Sequence, residues 1–286
     1  IQATDISDGI RFSFSPYSFA LLCSDLGKFP IARAVAASAA FPGPFDSIRL
    51  YNYAGTCGFD KEEWVTEALE ERDVSSRTFH KATQVNSYFD TKRKARIHLL
   101  DGGISDNIGI RGPLEMIAAR GGIRKNLEDI GFDKTRKVAF IIVNAEGETG
   151  NPWGLTDAGP RLAAMLGASS SIMISSYNFE TVELLRQSIR QWSAENRNLE
   201  AGEPPIEFYA IEIGFSALRD DEERLYYGSI PTSFNLPARA VDDLREVAER
   251  ILYQSKPFQR LVNDLGGRIP SSSQEVTGKR KESKQP

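Results

Sequence analysis

The residues best placed to do chemistry are Asp101, Gly102 and Gly103, which follow the short apolar run RIHLL at 96–100. A carboxylate at the end of a strand, partly withdrawn from water, can serve as a general base because desolvation raises its pKa toward working pH. In open α/β sheets, sites gather beyond the carboxyl ends of strands, where such a residue would project. The two glycines let the backbone turn sharply and let another element come close to the carboxylate. The plain alternative is an ordinary Asp-Gly turn, the commonest meaning of that pair after a strand.

Little else in the chain competes. There are 2 His and 2 Cys in 286 residues, so a zinc site built on several such ligands is nearly excluded, as is a disulfide framework. Whether Cys23 and Cys57 form one bridge is open at this stage. His98 lies within the strand before Asp101, one position out of phase with Leu99, and reads as a satisfied structural histidine; His80 reads as surface. The run from Asp101 to Ser105-Asp106-Asn107 has the wrong spacing and no terminal Glu for a calcium-binding EF-hand loop. No metal and no cofactor is expected. Arg111 reads as a surface arginine in a salt bridge, and Trp64, Trp153, Phe41 and Phe45 read as core packing.

The chain carries 35 Lys and Arg against 39 Asp and Glu, a net charge of −4, which argues against nucleic acid as a partner. With 41% hydrophobic residues a packed core is expected. No apolar run approaches 18 residues, so no transmembrane helix is expected. The first residue is Ile1 and the first methionine is Met116, so the chain is expected to be a fragment or a processed product.

The elements that must hold these residues can be read from periodicity. IRFSF at 10–14 alternates as a strand does, after a turn-like segment from Asp5 to Gly9. Pro30 opens an Ala-rich helix that Pro42-Gly43-Pro44 stops. Residues 45–95 read as a helical insertion or cover. Asp60 with Glu63 suggests a capping box, and a second helix spans about 76–88 with Phe79, Ala82, Val85 and Phe89 on one side. A helix from Gly112-Pro113 should stop at Gly121-Gly122. KVAFIIV at 137–143 is the continuous apolar run of a parallel strand buried on both faces, and 206–213 is a further strand. A long helical region from Pro160 to about Asn196 should break or bend in the Ser-rich stretch 169–176. Pro237 opens an amphipathic helix whose core face holds Val241, Leu244, Val247, Ala248 and Ile251, and Pro257 opens a last one that Gly266-Gly267 ends. Beyond Ser271 the composition is that of a disordered tail, and its Lys279-Arg280-Lys281 is read as solvated.

Taken together, AASAAFPGPF at 36–45 and the later strand ending in DGG at 101–103 resemble the patatin-like phospholipase family. ATD at 3–5 ahead of the IRFSF strand and ASSSIMISSYN at 168–178 agree with it. The resemblance covers most of the chain to about residue 255, apart from 45–95, which is longer than the family's usual linker.

The resemblance implies an α/β fold of the patatin-like sandwich type, with a mainly parallel central sheet, covering helices and an N-terminal truncation. It divides the chain into a core at 1–44, the insertion or cover at 45–95, the core continued at 96–267 and a tail at 268–286. It implies a lipid acyl hydrolase that acts through a Ser–Asp dyad, with Asp101 as general base and Gly102 and Gly103 shaping its turn. The partners implied are a lipid or phospholipid substrate and a peripheral membrane contact. The family's nucleophile sits in a G-x-S-x-G elbow and its oxyanion hole in a Gly-rich loop. Gly167-Ala168-Ser169-Ser170-Ser171 and Gly103-Ile104-Ser105-Asp106-Asn107 both lack the second glycine. Ser38 reads as a packing residue inside a helix. The serine is therefore expected upstream of residue 1, and the chain alone is expected to be inactive. Two other readings stand beside this one. One is a non-catalytic lipid- or protein-binding domain on the same fold. The other is an unrelated α/β binding domain in which Asp101 is exposed and away from any pocket.

Overall fold

IRFSF does form a strand, and another precedes it. β1 (Gln2–Asp5) and β2 (Ile10–Ser13) pair antiparallel, Asp5 opposite Ile10, across a turn that ends in Gly9 at φ +67°, a left-handed conformation suited to glycine. The computed structural model describes residues 1–42, 45–119, 121–147, 157, 159–199, 203–233 and 235–269. It contains two compact units, Ile1–Gly131 with Leu162–Ser188, and Phe132–Arg161 with Ile189–Pro286.

In the first unit β3 (Ile48–Tyr51) and β4 (Arg96–Leu100) complete a four-stranded sheet in the order β2-β1-β4-β3, antiparallel throughout. This corrects the expectation of a mainly parallel central sheet. The four-residue connection between β1 and β2 is far too short for a parallel crossover. The strands of this sheet other than β1 also alternate in burial, with one face covered, as antiparallel strands do. The segment 45–95, expected as helical, thus also supplies an edge strand.

The helices follow their local signals with some differences. α1 (Pro16–Leu21) starts with Pro at its first position, capped by Ser15, whose Oγ accepts the Ser18 N–H at 3.3 Å. α2 (Ile31–Ser38) buries Ala34 and Ala37 and packs on β1 and β4, the close approach that alanine allows. α3 (Glu63–Glu71) begins after Glu62 with no side-chain cap, so the Asp60–Glu63 capping box does not form. Glu62 instead accepts from the Trp64 indole and the Tyr17 hydroxyl. α4 (Arg77–Phe89) is capped by Ser76, whose Oγ accepts the Phe79 N–H, and buries Ala82, Val85 and Tyr88. α5 (Gly103–Asp106) is a single turn, and α6 (Arg111–Ala119) starts two residues before Pro113, which its first turn accommodates. α7 (Ile123–Asp129) was not foreseen. A disulfide joins Cys23, in the turn after α1, to Cys57 in the loop after β3. The core of this unit gathers Phe12, Leu22, Val65, Tyr88, Ile97 and Leu99.

α8 (Leu162–Glu195) is one continuous helix, so the expected break at 169–176 is absent. That stretch contains serines but neither proline nor glycine, and serine alone does not interrupt the hydrogen-bond ladder.

In the second unit β5 (Lys137–Asn144) and β6 (Glu207–Gly214) form the parallel pair, Lys137 opposite Glu207 through Asn144 opposite Gly214. The chain is thus a mixed α/β protein with a small parallel sheet. α9 (Asp221–Gly228), α10 (Ala238–Gln254) and α11 (Lys256–Asp264) follow, and α10 and α11 pack on β6 around Tyr209, Ile211, Val247 and Ile251. Their cover favours β6. On β5 Ile142 is buried, but Ile141 and Val143 are exposed, so β5 is not closed on both faces as its sequence suggested. Val241, placed on the core face of α10 by periodicity, is also exposed. Trp153, Gly43, Pro44 and the tail from residue 270 lie outside the described residues.

Candidate functional site

Asp101 is the first residue beyond β4, at the strand end where it was expected. β4 lies between two antiparallel neighbours, so the crevice rule for open parallel sheets does not apply to it. The local arrangement is what singles it out.

Three segments far apart in sequence meet at this turn. The Asp101 N–H donates to the Ala40 carbonyl at 3.0 Å, and the Gly102 N–H donates to the Ser38 carbonyl at 3.1 Å. These bonds fasten the end of α2 to the turn. From β1, Thr4 Oγ1 donates to the Asp101 carbonyl at 2.8 Å and shares a second hydrogen bond with Ser105 Oγ at 2.8 Å. The segments 3–5, 38–40 and 101–105 are therefore one hydrogen-bonded cluster.

The Asp101 carboxylate is half-buried. Its Oδ1 accepts the Gly103 N–H at 2.7 Å, which orients the group. Oδ2 makes no hydrogen bond among the described residues. The glycines serve space, not conformation. A Cβ at Gly102 would lie 2.6 Å from the Gln2 carbonyl oxygen, and one at Gly103 would lie 2.6 Å from Asn107 Oδ1 and 3.0 Å from Asp101 Oδ1. The close approach read from the sequence is real, and the element that approaches is β1.

Asp106 is turned inward. Its carboxylate accepts the Gly109 N–H at 3.1 Å and the Gly112 N–H at 3.3 Å and faces Arg11 at 3.6 Å, so it holds the α5–α6 corner together. Asn107 donates to the Asn178 side chain on α8 at 3.2 Å. Among the described residues Arg111 makes no surface salt bridge of the kind expected. It is half-buried, donates to Thr181 Oγ1 at 3.2 Å and lies 4.2 Å over the Tyr177 ring.

A second cluster anchors β1 from α4. Asp5 is fully buried and meets the Lys94 ammonium at 2.8 Å, and Lys94 also pairs with Asp8 and donates to Ser87 Oγ. The Tyr88 hydroxyl donates to Asp5 at 3.3 Å. Burial first, and then the Asp5 carboxylate, push the Tyr88 hydroxyl well above the usual tyrosine pKa. A buried pair of this kind is weak evidence for net stability, but losing one partner strands a charge, so it fixes the position of β1.

The serines weighed earlier take these places. Ser38 closes α2 and gives its backbone carbonyl to the turn. Ser105 lies within α5 and is bonded to Thr4. Ser169 lies inside α8, so Gly167 to Ser171 makes no strand-to-helix elbow. His98 shares a hydrogen bond with Ser47 through Nδ1, as a structural histidine would, and His80 is exposed. Trp64 packs half-buried against the core, whereas Phe41 and Phe45 are exposed. Thr4, Asp5 and Lys94 were not singled out from sequence as individual residues. The only signal was the ATD triplet, and nothing local reports partners so distant.

Among the described residues no group of three or more His, Cys, Asp or Glu gathers as a metal site, and no helix is long and apolar enough to cross a membrane. Set against protein-family models, curated proteins and solved structures, the chain matches none.

Proposed function

We propose that this chain is part of a lipid acyl hydrolase of the patatin-like type, in which Asp101 is the general base of a Ser–Asp dyad. The observation that carries the reading is the cluster at Asp101. Ser38 and Ala40, from a segment that carries the resemblance, and Thr4, from one that agrees with it, bond to the backbone of Asp101 and Gly102 beside one half-buried carboxylate. In this reading Oδ2 takes the proton of a serine hydroxyl as it attacks an ester carbonyl. Asp101 then gives that proton to the departing alcohol as the acyl-enzyme forms, and the regenerated carboxylate takes a proton from the water that releases the acyl group as the free acid. Oδ1 stays fixed by Gly103, so the base is oriented before substrate arrives. The serine comes from a segment outside residues 1–286, in a G-x-S-x-G elbow, because neither Ser105 nor Ser169 stands on such a turn. The substrate is a lipid or phospholipid carboxylic ester, met at a membrane surface. The fold in this reading is of the patatin-like sandwich type, from whose mainly parallel sheet the antiparallel β1–β4 sheet departs.

The test is hydrolysis of a short-chain p-nitrophenyl ester by the protein that carries the elbow, compared with its Asp101→Asn and Ser38→Ala variants. Asp101→Asn should lower kcat/KM by at least about 100-fold, the scale of a lost general base, while Ser38→Ala should retain activity. Full activity in Asp101→Asn would remove Asp101 from the mechanism. An elbow-bearing protein with no esterase activity would favour a non-catalytic lipid- or protein-binding domain.

A further inference from the structure

A cavity of about 250 Å³ opens beside β3, between the edge of the sheet and the α1–α2 region. Its lining residues are none of those that meet at Asp101. Phe29 and Leu50 supply apolar wall, and Tyr51 and Tyr53, both exposed, stack with ring centroids 6.2 Å apart. Lys28, Arg33 and Arg49 bring positive charge to the lining, against the Asp25 carboxylate. Lys28 is matched by Asp25 at 3.6 Å. Arg33 and Arg49 are not matched: among the described residues neither pairs with a carboxylate, and each guanidinium instead lies over a ring, Arg33 over Phe29 at 6.0 Å and Arg49 over Tyr51 at 5.7 Å.

Arg96, directly across from Tyr51 on β4, brings a third guanidinium to that same ring at 5.7 Å. Arg96 does not line the cavity, so an anion there falls to Arg33 and Arg49, the two rim guanidinium groups that no carboxylate pairs among the described residues. The guanidinium fork matches the oxygens of a phosphate, and the ring faces suit the apolar or planar part of the molecule that bears it. The cavity falls just below the 300–1,000 Å³ typical of drug-sized ligands, so it fits a phosphate with a small organic group and not a whole nucleotide. The disulfide from Cys23 to Cys57 and the Tyr53 N–H donated to the Leu22 carbonyl at 3.1 Å hold the two walls together.

We infer that this cavity binds an organic phosphate ester, its phosphate on Arg33 and Arg49 and its organic group against Phe29, Leu50 and the tyrosine pair. The site stands independently of the hydrolase reading. Its chemistry is shared by a soluble phosphorylated metabolite and by a phospholipid headgroup, and the two are separable by experiment. Calorimetric titration of the 286-residue chain with phenyl phosphate tests the first source. Co-sedimentation with phosphatidylglycerol vesicles, against phosphatidylcholine vesicles, tests the second. Arg33→Gln and Arg49→Gln change exposed residues and should fold normally, which circular dichroism checks. Each should weaken binding at least about tenfold, whereas the exposed Arg245→Gln should not. Saturable phenyl phosphate binding lost in both variants supports the site with a soluble ligand. Sedimentation with the anionic vesicles alone, lost in both variants, supports it with a headgroup. No binding in either assay, or binding that both variants keep, overturns it.

Discussion

Thr4 Oγ1 donates a hydrogen bond to the backbone carbonyl of Asp101 at 2.8 Å, across 97 positions of sequence. The hydroxyl is nearly inaccessible to water, and it also meets Ser105 Oγ, so one side chain on β1 ties down the start and the middle of the turn that carries the carboxylate. Thr4 acts on Asp101 only through the backbone. It is a positioning residue, and its neighbour Asp5 holds the same strand against α4 through Lys94.

Thr4→Val keeps the shape and removes the hydroxyl, so the Asp101 carbonyl keeps only the Ile104 N–H and Ser105 Oγ only the Gly102 carbonyl. Urea unfolding should show a loss of about 0.5–1.5 kcal/mol, the usual net worth of a hydrogen bond whose partners keep another. Thr4→Ser keeps the donor and should recover most of that loss. Amide exchange at Asp101 and Gly102, whose N–H groups bond to Ala40 and Ser38, should quicken in the valine variant. If Val and Ser variants were equally stable, the hydrogen bond would not be what holds the turn.

The sequence announced Asp101 and the bend around it because a strand, an acid and two glycines are contiguous. It announced α4, α10, α11 and both parallel strands because their periodicity or apolar runs are local and long. β1 and β3 were missed: each has four residues, too short for a periodic signal, and β3 mixes Arg and Tyr with its apolar positions. The direction of the main sheet was misread for a related reason. Strand direction follows from connections, and the hairpin at Ile6 to Gly9 is visible only once β1 is known. The Cys23–Cys57 pairing spans 34 positions, and spacing alone holds no distance information. The same limit hid Lys94 opposite Asp5, and it hid the cavity at β3, whose wall residues come from two separate stretches, 19–33 and 49–53.

Lys81 on α4 provides a pH test of the packing around β2. Burial lowers its pKa first, the nearby Arg11 guanidinium lowers it further, and Glu115 acts in the opposite sense. A base whose folded pKa lies below its unfolded value leaves the native state with fewer bound protons between the two, so stability rises with pH across that window. Below the folded pKa Lys81 is charged in both states, and there its burial is a standing cost. Lys81→Met removes this cost. The stability of Lys81→Met relative to the parent, from urea unfolding, should be most favourable on the acid side of the window and shrink as pH rises toward the unfolded lysine value of about 10.4. Tyr88 titrates with the opposite sign in both proteins and cancels in the difference. A difference that stays flat with pH would show that the ammonium is not held in a desolvated place.

Gly102 and Gly103 look equivalent in sequence but should not respond alike to alanine. A Cβ at 102 meets the Gln2 backbone oxygen at 2.6 Å, and neither β1 nor the turn can yield without breaking the Thr4 and Ala40 bonds. A Cβ at 103 meets the end of the Asn107 side chain, which can rotate away at the loss of its bond to Asn178, and then the Asp101 carboxylate. Gly102→Ala should therefore cost more stability, about 1–3 kcal/mol as overpacking against fixed backbone does, and Gly103→Ala clearly less. Activity should rank the other way per unit of stability lost, because the 103 methyl pushes on Asp101 Oδ1 and turns the base. Thermal unfolding of the two variants, with ester hydrolysis measured in the elbow-bearing protein, checks both orders. A Gly103→Ala enzyme with normal kcat would mean that the orientation Gly103 gives to Asp101 is not used in the reaction.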